Sequence, residues 1–434
     1  MSTGSRKMVT IHDRHTIDED RNHGVTLDTV RRILSDVLCL HLRDVHNESS
    51  FRDLGGDSVA ALEFGARCSS MGMKVQVPDF LGCTTIDDLA TRIIHRPRHH
   101  ASVEAWSLAP TADRDLIERE VREQCKLLAA RDSISDMYPA TALQESLMAL
   151  AVKHPGSYIS KYQFAIANGV DIERFKTAWA RVFKACPILR TRIVLVGGRS
   201  WQAVIGEDAE CETRNSETIE YRKRLCRYEI LPNGSEHFFC LTMHHVVFDG
   251  WCLGLLSEAL AYCYHHDLPP KSLVPFVNLV RYSLNLDTLQ TRKYWKTQLR
   301  ACKRTMFPRL CNARVGSGSA TFRQRIKFHD RPKAVTMATV LRAAWAIILA
   351  AHDDRAQDVT FGSTVIGRQV PLDRIEHIAG PVVSTVPIRV KLDQQQRVLD
   401  FLQQIQSQAS GMIPFEQQQL GQQKSDASRS PSQS

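Results

Sequence analysis

Phe238-Phe239-Cys240-Leu241-Thr242-Met243-His244-His245-Val246-Val247-Phe248-Asp249-Gly250-Trp251 carries an apolar run directly into two histidines and a glycine-containing turn. The stretch His237–Met243 reads as a buried strand, and Leu253–Tyr264 beyond the turn has helical spacing. A strand end that turns tightly into a helix can present a histidine to a cleft. Neighbouring residues of a strand point to opposite faces, so only one of His244 and His245 is expected to face a substrate. Three readings of the pair stand at this point. A metal site would draw on Asp249, but no third ligand lies nearby, and Cys263, His265 and His266 are distant in sequence. The histidines could be satisfied core residues, or one could do acid/base work, since imidazole titrates near neutral pH.

Working outward, helical periodicity recurs at 143–152, 172–186 and 335–351. Strand-like runs fall at 162–167, 192–196, 358–364 and 384–390. Helices mixed with strands predict a layered α/β unit. Upstream lies a smaller, helical unit. Leu27, Val30, Ile33, Leu34, Val37 and Leu38 fall at helical spacing, a second periodic run spans 59–68, and Ile86, Leu89, Ile93 and Ile94 supply a last helix. Thr85 is the expected N-cap of that helix, with Asp87 and Asp88 in its first turn.

Between its first two helices this unit carries Leu54-Gly55-Gly56-Asp57-Ser58. Two glycines let the chain turn sharply, which leaves Ser58 at the exposed start of a helix. Helix N-termini favour phosphate groups, so a phosphodiester on this hydroxyl would be well placed. Taken alone, Ser58 or Asp57 could equally be an N-cap.

The whole segment 27–95, with Phe51 seven residues before the serine, resembles a peptidyl carrier domain of nonribosomal peptide synthetases. The resemblance implies a 4'-phosphopantetheine arm held covalently on Ser58, with Asp57 helping to position the transferase and its metal. His244 to Gly250 resembles the HHxxxDG signature of condensation domains, which are similar in fold to chloramphenicol acetyltransferase. This implies an active site at His244, His245, Asp249 and Gly250. His245 would face the reaction channel and orient or deprotonate the attacking amine. Asp249 would be structural and pair with an arginine, for which Arg368 is the candidate, and Gly250 would leave room beside the acyl group.

Further segments resemble condensation-domain landmarks in the same order. They are 137–145, 186–191 (where Cys186-Pro187 departs from the usual Arg-His), 362–368, 380–389 and Pro414-Phe415-Glu416. The run 375–390 resembles fungal synthetases, including those with terminal macrocyclising domains. Two departures are expected to matter: a short interval between Asp249 and Gly362, around 314–320, and an end soon after Glu416. The fold expected is therefore multidomain: a small all-α carrier bundle plus an α/β chloramphenicol-acetyltransferase-like condensation domain, incomplete at its C-terminal side. Its divisions are a disordered lead-in at 1–24, the carrier at 25–96, a linker at 97–132, the condensation domain at 133–416 and a disordered tail at 417–434.

The resemblance implies nonribosomal peptide synthesis, with an acyl thioester joined to an amine or hydroxyl as amide or ester. Activity of the chain itself is left open. The alternatives are a carrier and docking module with an inert condensation half, or epimerisation of a bound aminoacyl group. No adenylation domain is recognisable, so the expected partners are a phosphopantetheinyl transferase, adenylation domains or other modules in trans, and carrier-bound aminoacyl or peptidyl substrates.

Composition agrees with a soluble chain in the cytoplasm. The 434 residues are 43% hydrophobic and 24% charged, with neither a signal-peptide pattern nor a membrane-length apolar run. Twelve scattered cysteines suggest free thiols. The net charge of +9, densest at His95–His100, lacks the interleaved aromatics of a nucleic-acid site. No nucleic acid, membrane or metal is expected.

Overall fold

The computed structural model describes residues 27–417 except 52, 55, 57, 72, 76–82, 96–102, 110–113, 128–132, 207–218, 235, 272, 303–304, 306, 308–322, 325–334, 354–355 and 371. Asp57, the lead-in 1–24, residues 96–100, the stretch 314–320 and the tail beyond 417 lie outside the described residues.

The first unit is helical: α1 (Leu27–Leu38), α2 (Ser58–Ser70) and α3 (Ile86–Arg92). Their apolar faces meet in a core of Val30, Leu34, Phe51, Phe64, Ile86 and Leu89. The α3 cap is the expected one, Thr85 Oγ1 accepting from Asp88 N–H at 3.0 Å. The helix ends at Arg92, before the expected limit. Ile93 turns to extended backbone, and Ile94–His95 (β2) pairs antiparallel with Met73–Lys74 (β1). The bulky branched pair Ile93-Ile94 suits that conformation.

Next comes α4 (Arg114–Cys125), inside the stretch read as linker. Ile117, Val121 and Cys125 are buried against Ile134, Met137, Val194 and Ala203. Those partners belong to a sheet of three antiparallel strands in the order β3 (Ser133–Pro139), β6 (Arg199–Gly206), β5 (Thr191–Val196).

A second sheet holds the decisive stretch. Its order is β4 (Ile159–Ile166), β8 (Glu236–His244), β7 (Cys226–Asn233), again antiparallel. Along β8 the burial alternates: Phe239, Leu241 and Met243 are buried and Cys240 and Thr242 only partly so, the period of a strand with one face on a core. That face lies beneath α6 (Ile172–Ala185) and α7 (Gly250–His266). Trp179 of α6 meets Phe239 edge-on, with ring centroids 5.1 Å apart. Helix α5 (Ala142–Lys153) begins with a reciprocal capping box between Thr141 and Gln144.

The last part contains α8 (Val277–Leu284), α9 (Thr288–Gln298), α10 (Met337–His352), the antiparallel pair β9 (Asp358–Val365) and β10 (Ser384–Lys391), and α11 (Val398–Met412). Val359, Ile388, Ala346 and Leu402 share its core. No helix among the described residues is long and apolar enough to cross a membrane.

Glu416, just after α11, is 3% exposed, and burial raises its carboxyl from the ordinary 4.5 to about 8, opposed by Arg342. A carboxyl that keeps its proton in the fold and loses it in the unfolded chain makes stability fall as pH rises between those two values. Glu416→Gln is therefore expected to flatten the pH dependence of the melting temperature over that window. The gain over the parent should be largest at its upper end. A variant that melts lower than the parent at the alkaline end would contradict this.

Candidate functional site

The loop between β8 and α7 is held by an ion pair that crosses the molecule. Asp249 and Arg368 are 2% and 0% exposed, and Arg368 Nη2 lies 3.2 and 3.1 Å from the two carboxylate oxygens. Each partner has further bonds. Asp249 caps α7 by accepting from Cys252 N–H at 2.8 Å and also accepts from Val382 N–H at 2.9 Å. Arg368 Nη1 donates to the carbonyls of Ile375 and Ile378, both at 2.8 Å. A buried carboxylate and guanidinium bonded in this way fix the start of α7 against the segment 375–382. Gly250 opens α7, and a Cβ added there would meet no atom within 4 Å.

The two histidines differ in surroundings. His244 is fully buried, its Nδ1 accepting from Val246 N–H at 3.1 Å and its Nε2 without a partner among the described residues. Burial, and secondarily His245, brings its pKa down to about 4. His245 is half-buried, and its ring stacks on Phe248 with centroids 4.5 Å apart and planes inclined by 16°. Burial lowers its pKa below 6.5, opposed by a hydrogen bond to the Phe248 backbone and by the charge of Asp249. Both imidazoles are therefore neutral near pH 7, and His245 is the more accessible. The arrangement offers an uncharged base at the mouth of a helix, with no group of three or more metal-ligating side chains among the described residues.

Several residues that position His245 carry no sequence signal of their own. Ser160 Oγ lies 3.1 Å from His245 Nε2, although 85 residues separate them. Tyr158, left-handed at φ 61°, accepts from His245 N–H at 2.8 Å. Gln144 is fully buried, and its Nε2 donates to Gln202 Oε1 at 2.8 Å and to Val246 O at 3.0 Å, which clamps the loop from below. Gln144 falls inside the opening landmark 137–145, where its place in an ordered motif was the available clue.

On the carrier side, Ser58 is the first residue of α2, and its side chain lies outside the described atoms. The loop before it is closed by Gly56 N–H donating to Phe51 O at 2.9 Å. A Cβ at Gly56 would come within 2.5 Å of the Phe51 ring, so glycine permits this close turn into the helix. A helix N-terminus after a tight glycine turn fits a phosphodiester, because its free N–H groups and dipole favour negative charge. The carrier also touches the loop between β8 and α7. Trp251 and Ile366 pack against its apolar core, and Trp251 Nε1 donates to Glu376 O at 2.8 Å. Arg368 lies 5.8 Å from the Trp251 ring.

Comparisons with known proteins agree along the chain. The sequence profile of the Condensation domain matches residues 134–432, and that of the Phosphopantetheine attachment site matches residues 28–93. Nonribosomal peptide synthetase GRA1 of Gibberella zeae is 34% identical over 393 residues, which is 86% of this chain and 5% of that protein. Nonribosomal peptide synthetase SIDD of Beauveria bassiana is 32% identical over 389 residues, 86% of this chain and 21% of that protein. The chain thus spans a small part of the relatives it matches. Among solved structures, "The crystal structure of holo T3CT" aligns with a TM-score of 0.60 at 21% identity, covering 73% of this chain and 76% of that one. The condensation domain from Monacolin K polyketide synthase MokA aligns with a TM-score of 0.51 at 16% identity, covering 66% and 74%. The helical first unit and the mixed second unit now have one explanation: the chain belongs to the condensation-domain family of nonribosomal peptide synthetases and carries a phosphopantetheine attachment domain ahead of it.

Proposed function

We propose that this chain joins an acyl group, delivered from an arm on Ser58, to an amine or hydroxyl at His245, as one step of nonribosomal peptide synthesis. The observation that carries the reading is the half-buried imidazole of His245, on a loop that Asp249 and Arg368 lock in place and that Trp251 joins to the carrier. When bound, the arm supplies a tethered thiol that presents the acyl group as a thioester. Everything else falls to the chain. Ser58 anchors the arm and Asp57 assists its attachment. His245 orients the nucleophile and receives its proton at Nε2, the nitrogen that faces Ser160. Gly250, with open space where a Cβ would stand, admits the reacting group beside the helix start. Because a thioester is already activated, holding the two reactants together provides much of the acceleration.

The proposal assigns 25–96 to the carrier, 97–132 to a connector and 133–416 to the condensation domain. It extends to a cytoplasmic location and to partners in trans: a phosphopantetheinyl transferase, adenylation domains and carrier-bound aminoacyl or peptidyl groups. Treatment with coenzyme A and a phosphopantetheinyl transferase is expected to add one arm to the chain, absent in Ser58→Ala. An equal mass gain in that variant would reject the site. Loaded protein offered a nucleophile should then release product; loading without product would reduce the chain to a carrier and docking module.

A further inference from the structure

Strands β4 and β8 reach the site together. Ile159 pairs with His244 and Ser160 with Met243, and the ladder gains one more rung where His245 N–H meets the Tyr158 carbonyl. Tyr158 has a left-handed backbone at that rung, a conformation uncommon for a non-glycine residue. The effect is to aim Ser160 at the imidazole, its Oγ 3.1 Å from Nε2.

A neutral imidazole carries one N–H and one lone pair, and what its nitrogens touch decides which is which. Nε2 faces the Ser160 hydroxyl at 3.1 Å, and that hydroxyl can donate to a lone pair there or accept from an N–H. Stacking on Phe248 fixes the ring plane in which both nitrogens lie.

We propose that Ser160 is a positioning residue: by donating its hydroxyl proton to Nε2 it keeps the lone pair of His245 on the nitrogen that faces the nucleophile. The inference rests on the reading of His245 given above and adds a second side chain to it. The hydroxyl holds the place on Nε2 that the N–H or O–H of the incoming nucleophile takes over. Without it, a buried imidazole is free to carry its proton on Nε2 and would then present a donor where an acceptor is needed.

The test is nitrogen NMR of the full chain with labelled histidine, the His245 signals assigned by comparison with His245→Gln. The parent protein is expected to show Nδ1–H with Nε2 unprotonated. Ser160→Ala should move toward the opposite tautomer, and Ser160→Thr should restore the parental one. Turnover of loaded protein should fall about tenfold in Ser160→Ala through kcat with KM unchanged, the worth of one ordinary hydrogen bond, and recover in Ser160→Thr. A parent protein protonated on Nε2, or a Ser160→Ala protein with the parental tautomer, would overturn the proposal. Should His245→Ala retain full turnover, the catalytic reading fails while the NMR result still decides the role of Ser160.

Discussion

Asp249→Ala is expected to lower the unfolding free energy by about 3–5 kcal/mol, the cost of leaving one member of a buried ion pair without the other. Arg368 is fully buried, and without the carboxylate it would keep only carbonyl acceptors. The same change removes the cap of α7 and takes from Val382 N–H one of its two acceptors, leaving Gly380 O at 3.0 Å. Caps alone are worth about 1 kcal/mol. Denaturant unfolding measures the sum. Asp249→Asn, which keeps a capping oxygen, should lose less, and the double change Asp249→Asn with Arg368→Met less than the sum of the singles. A loss below about 1 kcal/mol in Asp249→Ala would mean that water reaches the pair in solution.

The second large effect is chemical. His245→Ala is expected to slow product formation from loaded protein by about 10²–10⁴, the usual worth of a positioned proton acceptor, while mass gain at Ser58 is unchanged. The pH profile gives an independent check. The neutral ring is the competent form, and burial holds the pKa of His245 below 6.5. The acid limb of turnover should therefore be centred below 6.5. An acid limb centred above 6.5 would show instead that the imidazole is exposed or paired with a carboxylate. Unchanged turnover in His245→Ala would remove it from the chemistry.

Much of this was legible in the sequence where a local pattern and a physical requirement coincide. The apolar run 237–243 has the pattern of a buried strand, and β8 covers it. Thr85, standing before Asp87 and Asp88, was legible as a helix cap. Less visible were elements whose partners lie far away. β6 follows Gly197-Gly198, both with positive φ, a hairpin signal that strand periodicity at 192–196 alone did not extend. β7 contains Pro232, which weakens strand patterning, yet it stands at the edge of its sheet, where a missing N–H is tolerated. Helix α4 lies in a stretch whose pattern allows either a polar helix or a linker, and the sheet that buries Val121 decides for the helix. In the site, Asp249 and Arg368 were paired through family resemblance; nothing in their spacing of 119 residues predicts contact. Ser160, Tyr158 and Trp251 had no such guide. Their roles arise from strand register and helix placement, which only the folded chain brings about.

Trp251 sits in two structures at once. It lies in the opening turn of α7, two residues from Asp249, and it also lines the apolar margin of the carrier. Any event that lifts the carrier away must wet this indole, and any event that reshapes the turn must alter the surface on which the carrier rests. Such shared residues make two equilibria reciprocal: what favours the seated carrier favours the ordered turn, by the same free energy in each direction. Departure of the carrier would thus leave a less ordered turn at the start of α7, and its return would re-form it.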